Sequence, residues 1–279
     1  MMKGGSHNIF RIAGPAVVSF SGGRSSAYML SRIVEAHDGS LPDDVLAVFA
    51  NTGREHPATL DFIRKMGDIC PIVWVELDLD CDGQYAYRVV DPCSASRNGE
   101  PFEKLIDKRR MLPNPVARFC TADLKIRTIA RYVKSLGWDE WTDVVGIRAD
   151  EPRRWARIKS DSTRDIALPM VEDGTTLADV LRYWQGQDFD LELPGNDPAF
   201  GNCDLCFLKA RPKIEKVMLS IDGASDWWIK QETKGVGGRA STFRSDRASY
   251  AEMQAQVNEQ GRLFEDAIDD SFVDCMCGD

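Results

Sequence analysis

Residues 16–30 (AVVSFSGGRSSAYML) constrain this chain more than any other stretch. An apolar run that reads as a buried strand stops at Ser21-Gly22-Gly23-Arg24-Ser25-Ser26, and a helical pattern begins at once. Two adjacent glycines let the backbone turn tightly, with N–H groups pointing into one concavity. The serine hydroxyls and the positive end of the following helix aim at the same place, so the loop is built to hold an anion. A Walker A loop needs four residues between its glycines and then Gly-Lys-Ser/Thr, which this segment lacks. The G-x-G-x-x-G dinucleotide fingerprint is absent too. The plainer reading is a small polar turn between a strand and a helix, and only the rest of the chain decides between the two.

With 279 residues the chain can bury one large α/β core, or one core with a smaller appendage. No run approaches the ~18 apolar residues of a membrane span, and the first residues lack a signal-peptide core, so a cytoplasmic protein with no membrane partner is expected. The formal net charge of −9, from 44 acidic and 35 basic residues, argues against a generic polyanion binder. It leaves room for local basic stretches at 104–110 (KLIDKRR) and 148–159 (RADEPRRWARIK), the first of which reads best as a solvated helix face. Eight cysteines in such a chain point to metal or redox chemistry rather than a disulfide frame. Three scattered histidines, His7, His37 and His56, leave little for a His-rich zinc site or a Ser-His-Asp triad.

Further strands are expected at 45–50 (VLAVFA), 72–79 (IVWVELDL) and 142–147 (TDVVGI). Helices are expected after Pro57, with Leu60, Ile63 and Met66 on one face, over 101–111, and from Thr121 to about Leu136, with Leu124, Ile129 and Val133 inward and Gly137 as the stop. Residues 81–100 read as polar turns. Leu177, Val180, Leu181 and Trp184 fall at helical spacing and read as a core face. The stretch 186–202 reads as loop, and a helix interrupted by Pro212 follows Cys206. Strands alternating with helices predict an α/β fold, a doubly wound and mostly parallel Rossmann-like sheet over 1–160. A mainly helical, cysteine-bearing extension over 161–279 packs on it or continues it. Ligands of such sheets bind beyond the carboxyl ends of the strands, where Ser21–Ser26, Asn51–Gly53 and Gly146–Arg148 fall.

These motifs together resemble the phosphoadenosine-phosphosulfate (PAPS) reductase family of the PP-loop, or HUP-type, ATP pyrophosphatases. The resemblance runs over roughly residues 15–215. Ser21-Gly22-Gly23-x-x-Ser26 resembles the PP-loop signature. Residues 49–57 (FANTGREHP) look like the family's Asp-Thr-Gly…Pro-Glu-Thr segment, and residues 118–125 (RFCTADLK) like its cysteine–basic segment. Gly146-Ile147-Arg148, with Arg153 or Arg154 behind it, is similar to the family's Gly-x-Arg…Arg stretch. Leu168-Pro169-Met170 and Cys203-x-x-Cys206 complete the order.

The resemblance implies a nucleotide site formed by Ser19, Ser21, Gly22, Gly23, Arg24, Ser25, Ser26, Phe49, Asn51, Thr52, Gly53, Gly146 and Arg148. ATP with Mg²⁺ would place its β,γ-phosphates in the loop and adenine against Phe49–Thr52. Lys125 and Arg148 would meet the developing charge. Iron–sulfur members of the family use a Cys-Cys pair and a later Cys-x-x-Cys, of which Cys120, Cys203 and Cys206 remain. A [4Fe-4S] cluster is therefore expected, with zinc as the alternative, since thiolates suit both. Cys275, Cys277, Cys93 or a non-protein group is left open as the fourth ligand.

Two departures bear on activity. Family reductases usually lose Gly-Gly from the loop, whereas this chain keeps it. They also end in a Glu-Cys-Gly-Leu-His nucleophile tail, where this chain has Asp274-Cys275-Met276-Cys277-Gly278-Asp279. ATP-driven sulfur transfer is thus the first expectation, and reduction of PAPS or adenosine phosphosulfate with Cys275 or Cys277 as nucleophile the second. Expected partners are an adenine nucleotide and a sulfur donor or thioredoxin-like reductant, with a nucleic-acid acceptor and self-association left open. A third reading is a nucleotide- or nucleic-acid-binding component of a modification or defence complex, touching nucleic acid through 148–159 and 234–247.

Overall fold

A computed structural model describes residues 8–159, 163–234 and 241–259. The apolar run at the start becomes β1 (Ala16–Phe20), and a helix, α1 (Arg24–Ala36), leaves the loop behind it. Then follow β2 (Val45–Asn51), α2 (Pro57–Met66), β3 (Ile72–Leu79) and β4 (Tyr85–Val90). The helix α3 (Glu100–Arg109) leads to a π-helical turn over Thr121–Ile126 that runs into α4 (Arg127–Ser135). Next come β5 (Thr142–Val145), α5 (Pro152–Lys159) and β6 (Asp165–Ala167). The remainder is helical: α6 (Pro169–Glu172), α7 (Leu177–Gln185), α8 (Arg211–Ser220), α9 (Asp226–Lys234) and α10 over 250–259.

Among the described residues the strands form one sheet in the order β4-β3-β2-β1-β5-β6, parallel throughout except for β4. Successive residues of a strand point to opposite faces, and both faces here are apolar. Val17, Val48 and Val75 point to one face and pack under Ile129 and Val133 of α4. Val18, Ala47, Phe49 and Trp74 point to the other and meet the helices α1 and α2 through Leu30, Ile33 and Ile63. This is the expected α/β, doubly wound arrangement. Strand order reverses direction at β1, which pairs with β2 on one side and β5 on the other, so a crevice opens between the carboxyl ends of β1 and β5.

Three local expectations are corrected. The stretch 81–100 is not all turn, because β4 pairs antiparallel with β3 from Trp74↔Val90 to Leu79↔Tyr85. An Asp82-Gly83 turn closes that hairpin, with Gly83 at φ +70°, a conformation suited to glycine. Pro212 falls in the first turn of α8 rather than interrupting it, where its missing N–H sacrifices no helix hydrogen bond. The sheet also does not end at residue 160, as β6 adds a sixth strand beside β5. Helix α7 then returns to α1, with the Tyr28 and Tyr183 rings edge to face at 5.1 Å. Among the described residues no helix is long and apolar enough to cross a membrane.

Candidate functional site

The loop Ser21–Ser26 sits at the carboxyl end of β1, beside the crevice. Gly22 has φ +78°, and a Cβ there would lie 2.7 Å from Ile63 Cδ1 and 2.8 Å from Thr59 Cγ2, so only glycine fits. Gly146, at the end of β5, is held to glycine differently: its Cβ would meet the Ser26 Cα at 2.9 Å. The loop braces itself through Ser26, whose Oγ donates to the Gly23 carbonyl (2.9 Å) and lies 3.0 Å from Ser21 Oγ. Gly23 caps α1 in extended backbone, and as a glycine it has no side chain to take the first-turn N–H groups. Those groups and the helix dipole are left for an anion. Arg148 joins from the β5 side, its Nη1 donating to Ser25 Oγ at 3.1 Å. Arg24, expected at the nucleotide, lines the cavity over the loop, but its guanidinium is engaged by the facing wall. Its guanidinium forks onto Asp190 (2.6 and 2.8 Å) and donates to the Leu191 carbonyl and Asn196, pinning the 190–196 loop as a wall.

Two cavities adjoin here, sharing Ser21, Ser26, Gly146 and Arg154. One, of 530 Å³, lies over the loop and is walled by Leu177, Leu181, Leu191 and Leu193. The other, of 210 Å³, is lined by Ser19, Ala50, Ile129, Val145 and Ile158, with Lys125 on its wall. Two readings change as a result. Leu177 and Leu181 are 44% and 41% exposed and face the first cavity, while only Val180 and Trp184 of the expected core face are buried. Phe49 is turned away from both cavities, buried edge-on against Trp74 at 4.9 Å, so Ala50 lines the wall instead. Asn51 is also buried, donating to Glu76 and the Ser96 carbonyl, and its Oδ1 accepts from Gly53 N–H. Gly53, at φ +77°, packs on the backbone of Gly99. Asn51, Thr52 and Gly53 thus build the loop behind β2 and line neither cavity. A wider cleft of 760 Å³ lies at the opposite, amino ends of β1 and β5, beside Gly14, Pro15 and Thr142.

Cys120 immediately precedes the π-helical turn, a distortion that often marks functional positions because it re-aims side chains within a helix. Here it is fixed by Asp123, buried between Arg109 (2.9 and 2.5 Å) and Arg127 (2.5 Å). Lys125 lies on this turn, 3.8 Å from Glu55 Oε1. Cys203 arrives from the far part of the chain, pairing its backbone with Glu55, and its Sγ lies 3.6 Å from Thr52 Oγ1. Between it and Cys206, Asp204 is gripped by Arg54 and Trp228 Nε1 (2.9 Å), and Arg54 stacks on Trp227 at 5.2 Å. Lys209 ties off the same loop by donating to the Ala199 and Asp204 carbonyls.

The three thiols feel one another and their cations. Burial pushes Cys120 up, Cys206 adds to this, and Arg118 opposes it. Burial and then Glu55 push Cys203 up against the pull of Lys125. Burial works against the Lys125 charge, yet Glu55 and the three thiols outweigh it and hold the ammonium above its ordinary range. Burial lowers Lys209. It lowers His56 as well, with Asp204 opposing. The described cysteines form no disulfide. Among the described residues no three His, Cys, Asp or Glu side chains are gathered closely enough to hold a metal ion. Cys93 is exposed after β4, and Cys70 is buried, its thiol pushed up to about 11. Cys275 and Cys277 lie outside the described residues.

Sequence reasoning missed Glu55, Arg54, Asp204 and Lys209, which no periodicity marks. It also missed Thr59, buried on the wall of the 530 Å³ cavity with its Oγ1 unpartnered among the described residues. The only signals were that Arg54 and Glu55 follow Asn51-Thr52-Gly53 and that Asp204 lies inside the Cys-x-x-Cys.

No family model matches the chain. It is 35% identical over 260 residues to the uncharacterized nin region protein ORF290 of Escherichia phage lambda, covering 90% of this chain and 83% of that one. Among solved structures it superposes on the U34-tRNA thiolase NcsA from Methanococcus maripaludis with its [4Fe-4S] cluster. The TM-score is 0.37 at 16% identity, over 95% of this chain and 75% of the thiolase.

Proposed function

This chain belongs to the family of the nin region protein ORF290 of Escherichia phage lambda, and we propose that it is a nucleotide-dependent enzyme of the PP-loop kind that transfers sulfur. The observation that carries this reading is the junction of the two cavities at Ser21, Ser26, Gly146 and Arg154, with Lys125 standing between the smaller one and the thiols. The apolar 210 Å³ cavity suits a purine, and the loop suits the phosphates attached to it. Thr59, with its unpartnered hydroxyl, and Arg148 flank the same anion site.

ATP would bind with Mg²⁺ on its β,γ-phosphates. The acceptor's oxygen attacks the α-phosphorus, the bond to the bridging oxygen breaks, and pyrophosphate leaves. Sulfur then attacks the activated carbon, and AMP departs with the oxygen. Lys125 and Arg148 stabilise charge at the phosphates, and the fixed loop supplies position.

By donor chemistry three soft thiols free of disulfides, with Lys125 beside them, suit an iron–sulfur cluster, although among the described residues they are not gathered closely enough to hold a metal ion. Cys120, Cys203 and Cys206 would hold a [4Fe-4S] cluster, with Cys275, Cys277, Cys93 or a non-protein sulfur completing it. When bound, it would supply soft-metal chemistry for holding sulfide. The test uses full-length protein reconstituted anaerobically with iron and sulfide. Binding of ATP·Mg²⁺ and PAPS is measured, together with pyrophosphate release in the presence of candidate acceptors. Saturable ATP binding and a brown sample with broad visible absorption are expected. Failure to bind ATP overturns the reading, preference for PAPS moves it to sulfonucleotide reduction, and a colourless zinc protein removes the cluster.

A further inference from the structure

We propose that Glu55 is a positioning residue for the reacting phosphate, acting through Lys125; this rests on the nucleotide reading above. The Glu55 side chain is only 2% exposed, and its carboxylate is fixed by three donors: Thr52 N–H (3.0 Å), Thr52 Oγ1 (2.9 Å) and Arg54 N–H (3.2 Å). Its backbone is fixed as well, by the bridge to Cys203. It is therefore an immobile negative charge. Lys125, in contrast, has a four-carbon stem and no rotamer that sequence alone would impose. At 3.8 Å the pair is too long for a hydrogen bond but close enough for strong attraction in a partly buried setting. The ammonium is thus aimed while its N–H donors stay uncommitted to Glu55. Its side chain remains 31% exposed on the wall of the 210 Å³ cavity, which adjoins the loop at Ser21 and Ser26, so those donors can meet the phosphate nearest the base at that junction. Lys125 also feels the thiols of Cys120, Cys203 and Cys206, which Arg118 and Lys209 influence as further cations.

A carboxylate that served only to staple the Thr52–Arg54 turn would stabilise the fold and leave turnover alone. The two roles separate in full-length Glu55→Gln, Glu55→Asp, Lys125→Met and the Gln/Met double variant. Urea midpoint, ATP·Mg²⁺ affinity, pyrophosphate release and the ³¹P shift of the α-phosphorus of bound ATP are compared. In Glu55→Gln, pyrophosphate release should fall about 10²-fold, the scale of losing one preorganised charge contact. Affinity for ATP should change less than about threefold, because the contact matters chiefly in the transition state. The double variant should be no slower than Lys125→Met, and the α-phosphorus shift of Glu55→Gln should move toward that of Lys125→Met. Unchanged turnover in Glu55→Gln, or losses that multiply in the double variant, would overturn the proposal. Should Glu55→Gln not fold, Glu55→Asp decides: it keeps the charge but withdraws it from Lys125, so reduced turnover at unchanged stability supports the role and full turnover rejects it. Failure of the wild-type protein to bind ATP sinks the nucleotide reading itself, a result distinct from any difference between variants.

Discussion

The anion loop and the thiol site are neighbours, yet they are built by opposite means. The loop is local: Ser21, Gly23 and Ser26 hydrogen-bond one another within five residues of chain, and glycine does the rest. The thiol site is assembled across the whole molecule. Arg54 reaches Asp204 over 150 residues, Thr52 meets Cys203 over 151, and Lys125 comes from a third segment. Backbone conformation therefore governs the first and buried ion pairs the second. Single substitutions should damage one without the other.

The largest effect is expected from Gly22→Ala. The new Cβ would require φ +78° in a non-glycine residue and would collide with Ile63 and Thr59. Backbone strain and overpacking together suggest a loss of about 3 kcal/mol. Nucleotide binding should vanish because the loop's N–H groups no longer converge. Calorimetric unfolding and equilibrium ATP titration check both halves. An alanine variant that binds ATP normally would mean that the loop is not the anion site.

Arg54→Ala tests the other region. Arg54 and Asp204 are 12% and 16% exposed, so removing the guanidinium leaves a nearly buried carboxylate that still accepts from Trp228 Nε1 and the Leu205 N–H but has lost its ion-pair partner. A cost of about 2–4 kcal/mol is expected in the urea midpoint. Cys203 and Cys206 should become faster targets for maleimide, while ATP affinity stays within about threefold, because Arg54 lines neither cavity. Equal damage to nucleotide binding would show that the two regions form one cooperative unit.

The contrast also explains what the sequence revealed. Local features were legible: the loop, the strand at 72–79, most of the strand expected at 142–147, which ends at Val145, and the inward positions Leu124, Ile129 and Val133 follow from short-range patterns. Edge strand β4 was missed because none of its residues is buried and its exposed positions, Arg88 and Val89, are adjacent, which breaks the alternation of a half-buried strand, although the Asp82-Gly83 turn announced it. The π-helical register around Cys120 was illegible, since it depends on Asp123 being trapped between Arg109 and Arg127. The ion pair of Arg24, which lines the cavity over the loop, was illegible for a related reason. The residue's place in the motif suggested phosphate, but its partner Asp190 lies 166 residues away.

The smallest effect should come from Leu181→Ala on α7. Helical spacing alone puts Leu181 in the same apolar stripe as Val180, and the two are adjacent in sequence. Yet Val180 is fully buried, whereas Leu181 is 41% exposed on the wall of the 530 Å³ cavity. Truncating Val180 should open a void and cost about 2 kcal/mol. Truncating Leu181 should cost no more than about 0.5 kcal/mol, the range of surface substitutions. Thermal unfolding of the two variants compares them directly. If Leu181→Ala proves as costly as Val180→Ala, this wall closes in solution, and the cavity over the loop has no room for a ligand larger than the phosphates themselves.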